Sequence, residues 1–127
     1  MITVNEFHAN IPIYLQVVEK IKMQILSNTL KPGDKLPSVR ELALELGVNP
    51  NTIQIAFLEL EREGFIRTER AVGRYVAENP QLIQQYKQHQ IHESIHNFLE
   101  HMQSLGMSKK EIILYLQKED DSHESLD

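Results

Sequence analysis

Three histidines, His89, His92 and His96, stand at i, i+3 and i+7 in one stretch, and His101 follows them. Imidazoles at that spacing share a helix face and can hold Zn or Cu. The chain has no cysteine and no clear carboxylate completes the set, so the plainer reading is the polar flank of a helix. An imidazole that titrates near ~6.5 would also make such a flank pH-sensitive. A second group is cationic: Arg62, Arg67, Arg70 and Arg74 fall within 13 residues. Just ahead of them, Asn51 and Gln54 carry amides, whose donor and acceptor pair can read adenine bidentately, and Thr52 carries a hydroxyl. Catalytic chemistry is not indicated, because there is no glycine-rich phosphate loop and no nucleophile elbow. The expected catalytic, metal and cofactor assignments are therefore none. Without cysteine, disulfides, thiolate metal sites and cysteine nucleophiles are excluded as well.

The 127 residues suffice for one domain with an appendage, and their net charge is −5. Overall acidity does not exclude a polyanionic partner, because charge acts locally. Residues 1–79 have a net charge of −1, and residues 80–127 have −4. No apolar run approaches the length of a membrane span. The start, MITVNEFHAN, lacks the basic-then-apolar order of a secretory signal, so the expected location is the cytoplasm, with no membrane partner.

The elements that must position these residues can be read from periodicity. Pro12 is suited to a helix start, and Tyr14, Val17, Val18, Ile21 and Ile25 follow on one helical face. Lys31-Pro32-Gly33-Asp34 predicts a turn. Ser38-Val39-Arg40-Glu41 is a capping box opening a short second helix with an apolar face of Val39, Leu42, Ala43 and Leu46; Gly47 ends it. Asn49 and Pro50 suit the N-cap and first turn of a third helix, whose core stripe is Ile53, Ala56, Phe57 and Leu60, closed by Gly64. Two short helices split by a glycine-containing turn make a helix-turn-helix. Strands at 65–68 and 74–77 around a loop with one glycine then predict a hairpin, which makes the whole a winged helix.

Asn79-Pro80 marks the expected domain boundary. A helix of ~39 Å should follow to Leu105, with Ile91, Ile95, Phe98, Met102 and Leu105 at near-heptad spacing. Ser108-Lys109-Lys110-Glu111 is a second capping box, opening a last helix with Ile112, Ile113, Tyr115 and Leu116. The acidic end, from 119, is expected to be disordered.

The run PIYLQVVEKIKMQIL, then LKPGDKLPSVRELALELGVNPNTIQIAFLELEREGFI and a hairpin, resembles the DNA-binding domain of the GntR family of bacterial transcriptional regulators. The resemblance covers roughly half the chain, from Pro12 to Val76. The remainder is too short for the large effector or aminotransferase-like domains of other members. Its two helices, with LGMSKKEII, look like the YtrA-type subfamily, in which a short helical tail serves dimerisation. Such members often accompany ABC-transporter genes.

On this resemblance the third helix is a recognition helix. The wheel turns Asn51, Ile55, Leu58 and Arg62 away from the core, with Thr52 and Gln54 flanking, and the N-terminal part of that face is where such a helix meets base edges. Asn51, Thr52 and Gln54 are thus expected to touch DNA. Asn49 either caps the helix or contacts DNA through the same side chain. The family places a DNA-contacting arginine at Arg40, whose fork can hold guanine or phosphate; its plainer role is an ion pair with Glu41 or Glu45. Ser38 is a cap first and a DNA contact second, and Lys35 a weaker phosphate contact. Arg70 matches a wing-tip contact position and Arg74 adds a cation. The wing departs from the common Gly-basic-Gly-Thr pattern, because Ala71 has a side chain and resists positive φ. Ile55 is a second departure: an exposed isoleucine there either meets a thymine methyl or packs against a neighbour.

The expected fold is mainly α with a small β-hairpin: a winged helix-turn-helix domain over 1–79 and a two-helix dimerisation tail over 80–118. The expected function is a repressor acting as a homodimer on a palindromic operator in double-stranded DNA. Two competing functions remain: a sensor responding to a metal or an unknown small-molecule effector, and a winged-helix module that binds protein instead of DNA. The polar set Ser38, Arg40, Asn51, Thr52 and Arg70 argues against the last, since protein interfaces favour aromatic and apolar anchors.

Overall fold

The computed structural model describes residues 7–123, with side chains as far as Glu119. Helix α1 spans Ile13–Leu26 and is preceded by Pro12 at φ −52°. Val17, Val18, Ile21 and Ile25 are buried, as the periodicity predicts, and Tyr14 is half-buried. The same face also buries Lys22, which is only 7% exposed. Its ammonium donates to Glu63 Oε1 at 2.7 Å, lies 3.7 Å from Glu19, and sits 5.0 Å from the centre of the Phe65 ring. An ammonium is retained at such a depth only where a counter-charge and a ring face replace its lost water.

Helix α2, Val39–Leu46, opens with the expected capping box. Leu42, Ala43 and Leu46 are buried, while Val39 is half-buried. Gly47 takes the left-handed conformation at φ +69°, and the Val48 N–H donates to the Ala43 carbonyl at 3.0 Å. That turn reverses the chain at once into helix α3, Pro50–Glu63, whose Ile53, Ala56, Phe57 and Leu60 are all fully buried. Burying one large side chain of this kind is worth about 1.5–3 kcal/mol, so α3 is the element around which α1 and α2 pack.

Strands β1, Ile66–Glu69, and β2, Gly73–Val76, pair antiparallel with Ile66 opposite Val76 and Glu69 opposite Gly73. Phe65, expected in the first strand, lies just before it: its N–H closes α3 by donating to the Leu60 carbonyl at 2.9 Å. The segment before α2 joins the hairpin as a short third edge, which periodicity did not indicate. Leu36 N–H donates to the Arg74 carbonyl and Val76 N–H to the Asp34 carbonyl, both at 2.8 Å.

Helix α4 spans Pro80–Ser104 and α5 spans Lys109–His123. The Asn79 side chain accepts the Leu82 N–H at 3.2 Å, and the Ser108/Glu111 box caps α5. The chain forms two compact units, the first ending at Gln85 and the second beginning at Tyr86. Leu82 belongs to the first: its Cδ2 lies 3.4 Å from where a Cβ on Gly64 would stand. The opening turns of α4 therefore complete the winged-helix unit. Helix α5 runs beyond residue 119, where the acidic tail was expected to begin without structure; residues 124–127 of that tail lie outside the described residues. Among the described residues, no helix is long and apolar enough to cross a membrane.

Candidate nucleic-acid interface

The exposed surface of α2, α3 and the hairpin gathers most of the polar residues singled out above. At the start of α2, Ser38 Oγ accepts the Glu41 N–H at 3.1 Å, and the Glu41 carboxylate accepts the Ser38 N–H at 3.0 Å. The bond from the Ser38 backbone foremost, and then the Ser38 hydroxyl, hold the Glu41 carboxyl below its ordinary range. They also engage Glu41, which with Glu45 was the alternative partner for Arg40. Arg40 is exposed, and among the described residues it forms no ion pair. Its guanidinium is thus available to an outside acceptor.

At the start of α3, Asn49 Oδ1 accepts the Asn51 N–H at 2.8 Å. Capping is therefore the role its oxygen plays here, and its amide N–H groups remain as donors. Asn51 is exposed, and Thr52 and Gln54 are half-buried on either side of it. Ile55 and Leu58 continue the outward face at 41% and 54% exposure.

The arginine cluster divides into different roles. Arg62 is forked onto Glu59, whose carboxyl is lowered to about 2 chiefly by that hydrogen bond. Arg67 pairs with Glu69 and lies 4.9 Å from the centre of the Tyr75 ring. Arg74 is half-buried with its guanidinium 5.1 Å from the centre of the Phe57 ring, so this cation is stacked on the domain instead of extending from the wing. Arg70 is exposed at the hairpin turn and, among the described residues, has no ion-pair partner. Sequence spacing offers the local pairs of Arg62 with Glu59 and Arg67 with Glu69, but not the stacking of Arg74 on Phe57, which depends on tertiary placement.

The wing turn also departs from simple propensity. Ala71 adopts φ +62° although its side chain disfavours that region. Gly73, at φ +149°, has a reason for its identity: a Cβ there would stand 3.0 Å from Lys35 Cε. This close approach brings the hairpin beside the start of α2. Between them lies a cleft of about 370 Å³ whose lining includes Lys35, Ser38, Arg40, Glu41, Val72 and Arg74. Three cations against one carboxylate that the cap already engages, beside a helix N-terminus, suit a phosphate backbone.

Among the described residues, no three His, Asp or Glu side chains converge on one point. His96 instead lies 3.5 Å from Glu100, both exposed on α4.

Residues 13–76 match the family model for bacterial regulatory proteins of the gntR family, half the chain and the whole of α1, α2, α3 and the hairpin. The chain is a member of the GntR family. This GntR protein is 40% identical over 109 residues to the HTH-type transcriptional regulator YhcF of Bacillus subtilis, covering 86% of this chain and 90% of YhcF. It is 54% identical over 68 residues to the HTH-type transcriptional repressor YtrA of the same organism, covering 54% of this chain and 52% of YtrA. A solved GntR family transcriptional regulator from Listeria monocytogenes superposes with a TM-score of 0.78 at 42% identity, over 88% of this chain and 98% of that one. The AraR DNA-binding domain, solved in complex with operator ORX1, matches 56% of this chain and 92% of its own at 30% identity, with a TM-score of 0.53. This chain is accordingly a GntR-family DNA-binding transcriptional regulator with a winged helix-turn-helix, and not an enzyme.

Proposed function

We propose that this regulator is a cytoplasmic repressor that binds a palindromic operator as a homodimer. The observation that carries the proposal is the outward face of the helix-turn-helix: Asn51, Thr52 and Gln54 on α3, with the exposed cations Arg40 and Arg70, which form no ion pair among the described residues. In this reading α3 enters the major groove, where Asn51 and Gln54 meet base edges and Thr52 a base or phosphate. Arg40 holds a guanine or phosphate. Ser38, Lys35, Arg70 and Arg74 lie along the backbone, Arg74 contributing charge from its stacked position. Asn49 contributes its amide N–H groups while its oxygen caps the helix.

The dimer is proposed to form through the second unit. Ile91, Ile95 and Phe98 on α4 are 40%, 54% and 39% exposed, Met102 on the same helix is half-buried, and Leu105, just beyond its end, is 63% exposed. On α5, Ile113, Leu114, Tyr115 and Leu116 are about half exposed too. So much apolar surface on two helices is the usual mark of an interface. A repressor named YtrA among its relatives supports the direction of control.

Selection of binding sites from random double-stranded DNA, with sedimentation of the same full-length chain, tests the reading. The expected result is a dimer that enriches an inverted repeat and lowers transcription from a promoter overlapping it. A monomer, or an enriched site with no symmetry, would overturn the proposed assembly.

A further inference from the structure

Ile55 is left unexplained by a helix face that otherwise reads polar groups. It lies on α3 roughly 40° around the helix from Asn51, and almost opposite the buried Ile53. It is 41% exposed, whereas Ile53, Ala56, Phe57 and Leu60 are fully buried. The side chain therefore contributes little to the domain's own core. Building on the proposed function, we infer that Ile55 determines operator specificity by packing on the 5-methyl group of a thymine in each half-site.

The chemistry is selective. In the major groove the base edges present donors, acceptors and a single apolar group, the thymine methyl. An isoleucine in a helix is held mostly in one χ1 rotamer, so it can present its methyl groups with little loss of freedom on binding. Asn51, one turn earlier on the same face, and Gln54, its sequence neighbour, supply the amide groups that fix register beside it. Leu58, one turn further from the N-terminus, is 54% exposed. It extends the apolar face along the helix, but away from the end where recognition helices approach bases. A second protein seated on Ile55 and Leu58 would have to cover the amide groups and leave them unpaired, which disfavours that occupant.

The test uses the full-length chain and the operator it selects from random double-stranded DNA. Each thymine of that operator is replaced singly by deoxyuridine, which removes the methyl and leaves the base-pair hydrogen bonds intact. At one thymine per half-site, affinity should fall about fourfold, the worth of one buried methyl group. Ile55→Ala should bind the thymine and uracil operators equally and melt at the wild-type temperature. A flat uracil scan would overturn the inference while leaving the proposed function standing, as would a uracil effect that persists in Ile55→Ala. Failure to enrich any site would overturn both.

Discussion

Arg40 occupies the second position of α2, off its buried face, while the neighbouring Glu41 is consumed by the cap. Replacing Arg40 by alanine should therefore cost about 1–3 kcal/mol in operator binding with an unchanged melting temperature. Titration at fixed salt checks this, and unchanged affinity would remove Arg40 from the interface. Ala71 supports the opposite kind of change. At φ +62° it carries a strain that glycine would not. Ala71→Gly should stabilise the fold by about 1 kcal/mol, read from urea unfolding. A destabilised variant would show that the left-handed turn is unstrained. Alanine is ill suited to positive φ, and the chain places Ala71 there regardless, because the turn must return β2 in register with β1. The pairing of Arg62 with Glu59 is local and follows from helical spacing. The stacking of Arg74 on Phe57 is not, since the two come together only when the hairpin docks.

At the scale of elements, both capping boxes were legible because a cap is a matter of four consecutive residues. Ser38→Ala should lower stability by about 1 kcal/mol, measured by thermal or urea unfolding near neutral pH. The boxes also set an acid dependence. Glu41 and Glu111 are held below the ordinary value of 4.5, each by a bond from its serine's backbone first, and Glu59 lies at about 2. A carboxyl depressed by folding adds stability above its unfolded value, and that contribution is lost as pH falls through its folded value. Stability should thus be level above about pH 5 and decline from about 4.5 downward. The Ser38→Ala deficit should largely persist over the same interval, because alanine keeps the backbone N–H that the Glu41 carboxylate accepts and loses only the bond from the Glu41 N–H to Ser38 Oγ. A deficit that vanished by about pH 3 would mean that the hydroxyl acts mainly through the Glu41 carboxylate. The strand edge at 33–36 was not legible: four residues in and after a glycine turn have no periodicity, and only pairing with β2 gives them order.

For the whole molecule, the helix-turn-helix, the wing and the helical tail all follow from the order of apolar stripes and stops. Where one unit ends does not. Asn79-Pro80 is a local signal for a helix start, whereas the compact unit runs on to Gln85 and uses Leu82 beside Gly64. A chain ending at Gln85 should fold as a monomer and bind a full operator about a hundredfold more weakly than the dimer, since it loses the linked second half-site. Sedimentation and titration on full and half operators check this; equal binding by the shortened chain would exclude dimerisation through the tail. Lys22, finally, gives the winged-helix unit a chemical reporter of its own. An amine must be neutral and reachable to react with an acylating reagent, and this one is held against Glu63 and the Phe65 face by residues from α1, the end of α3 and the entry to β1. Its acylation rate, set beside that of an exposed lysine such as Lys20, would time the opening of all three segments together.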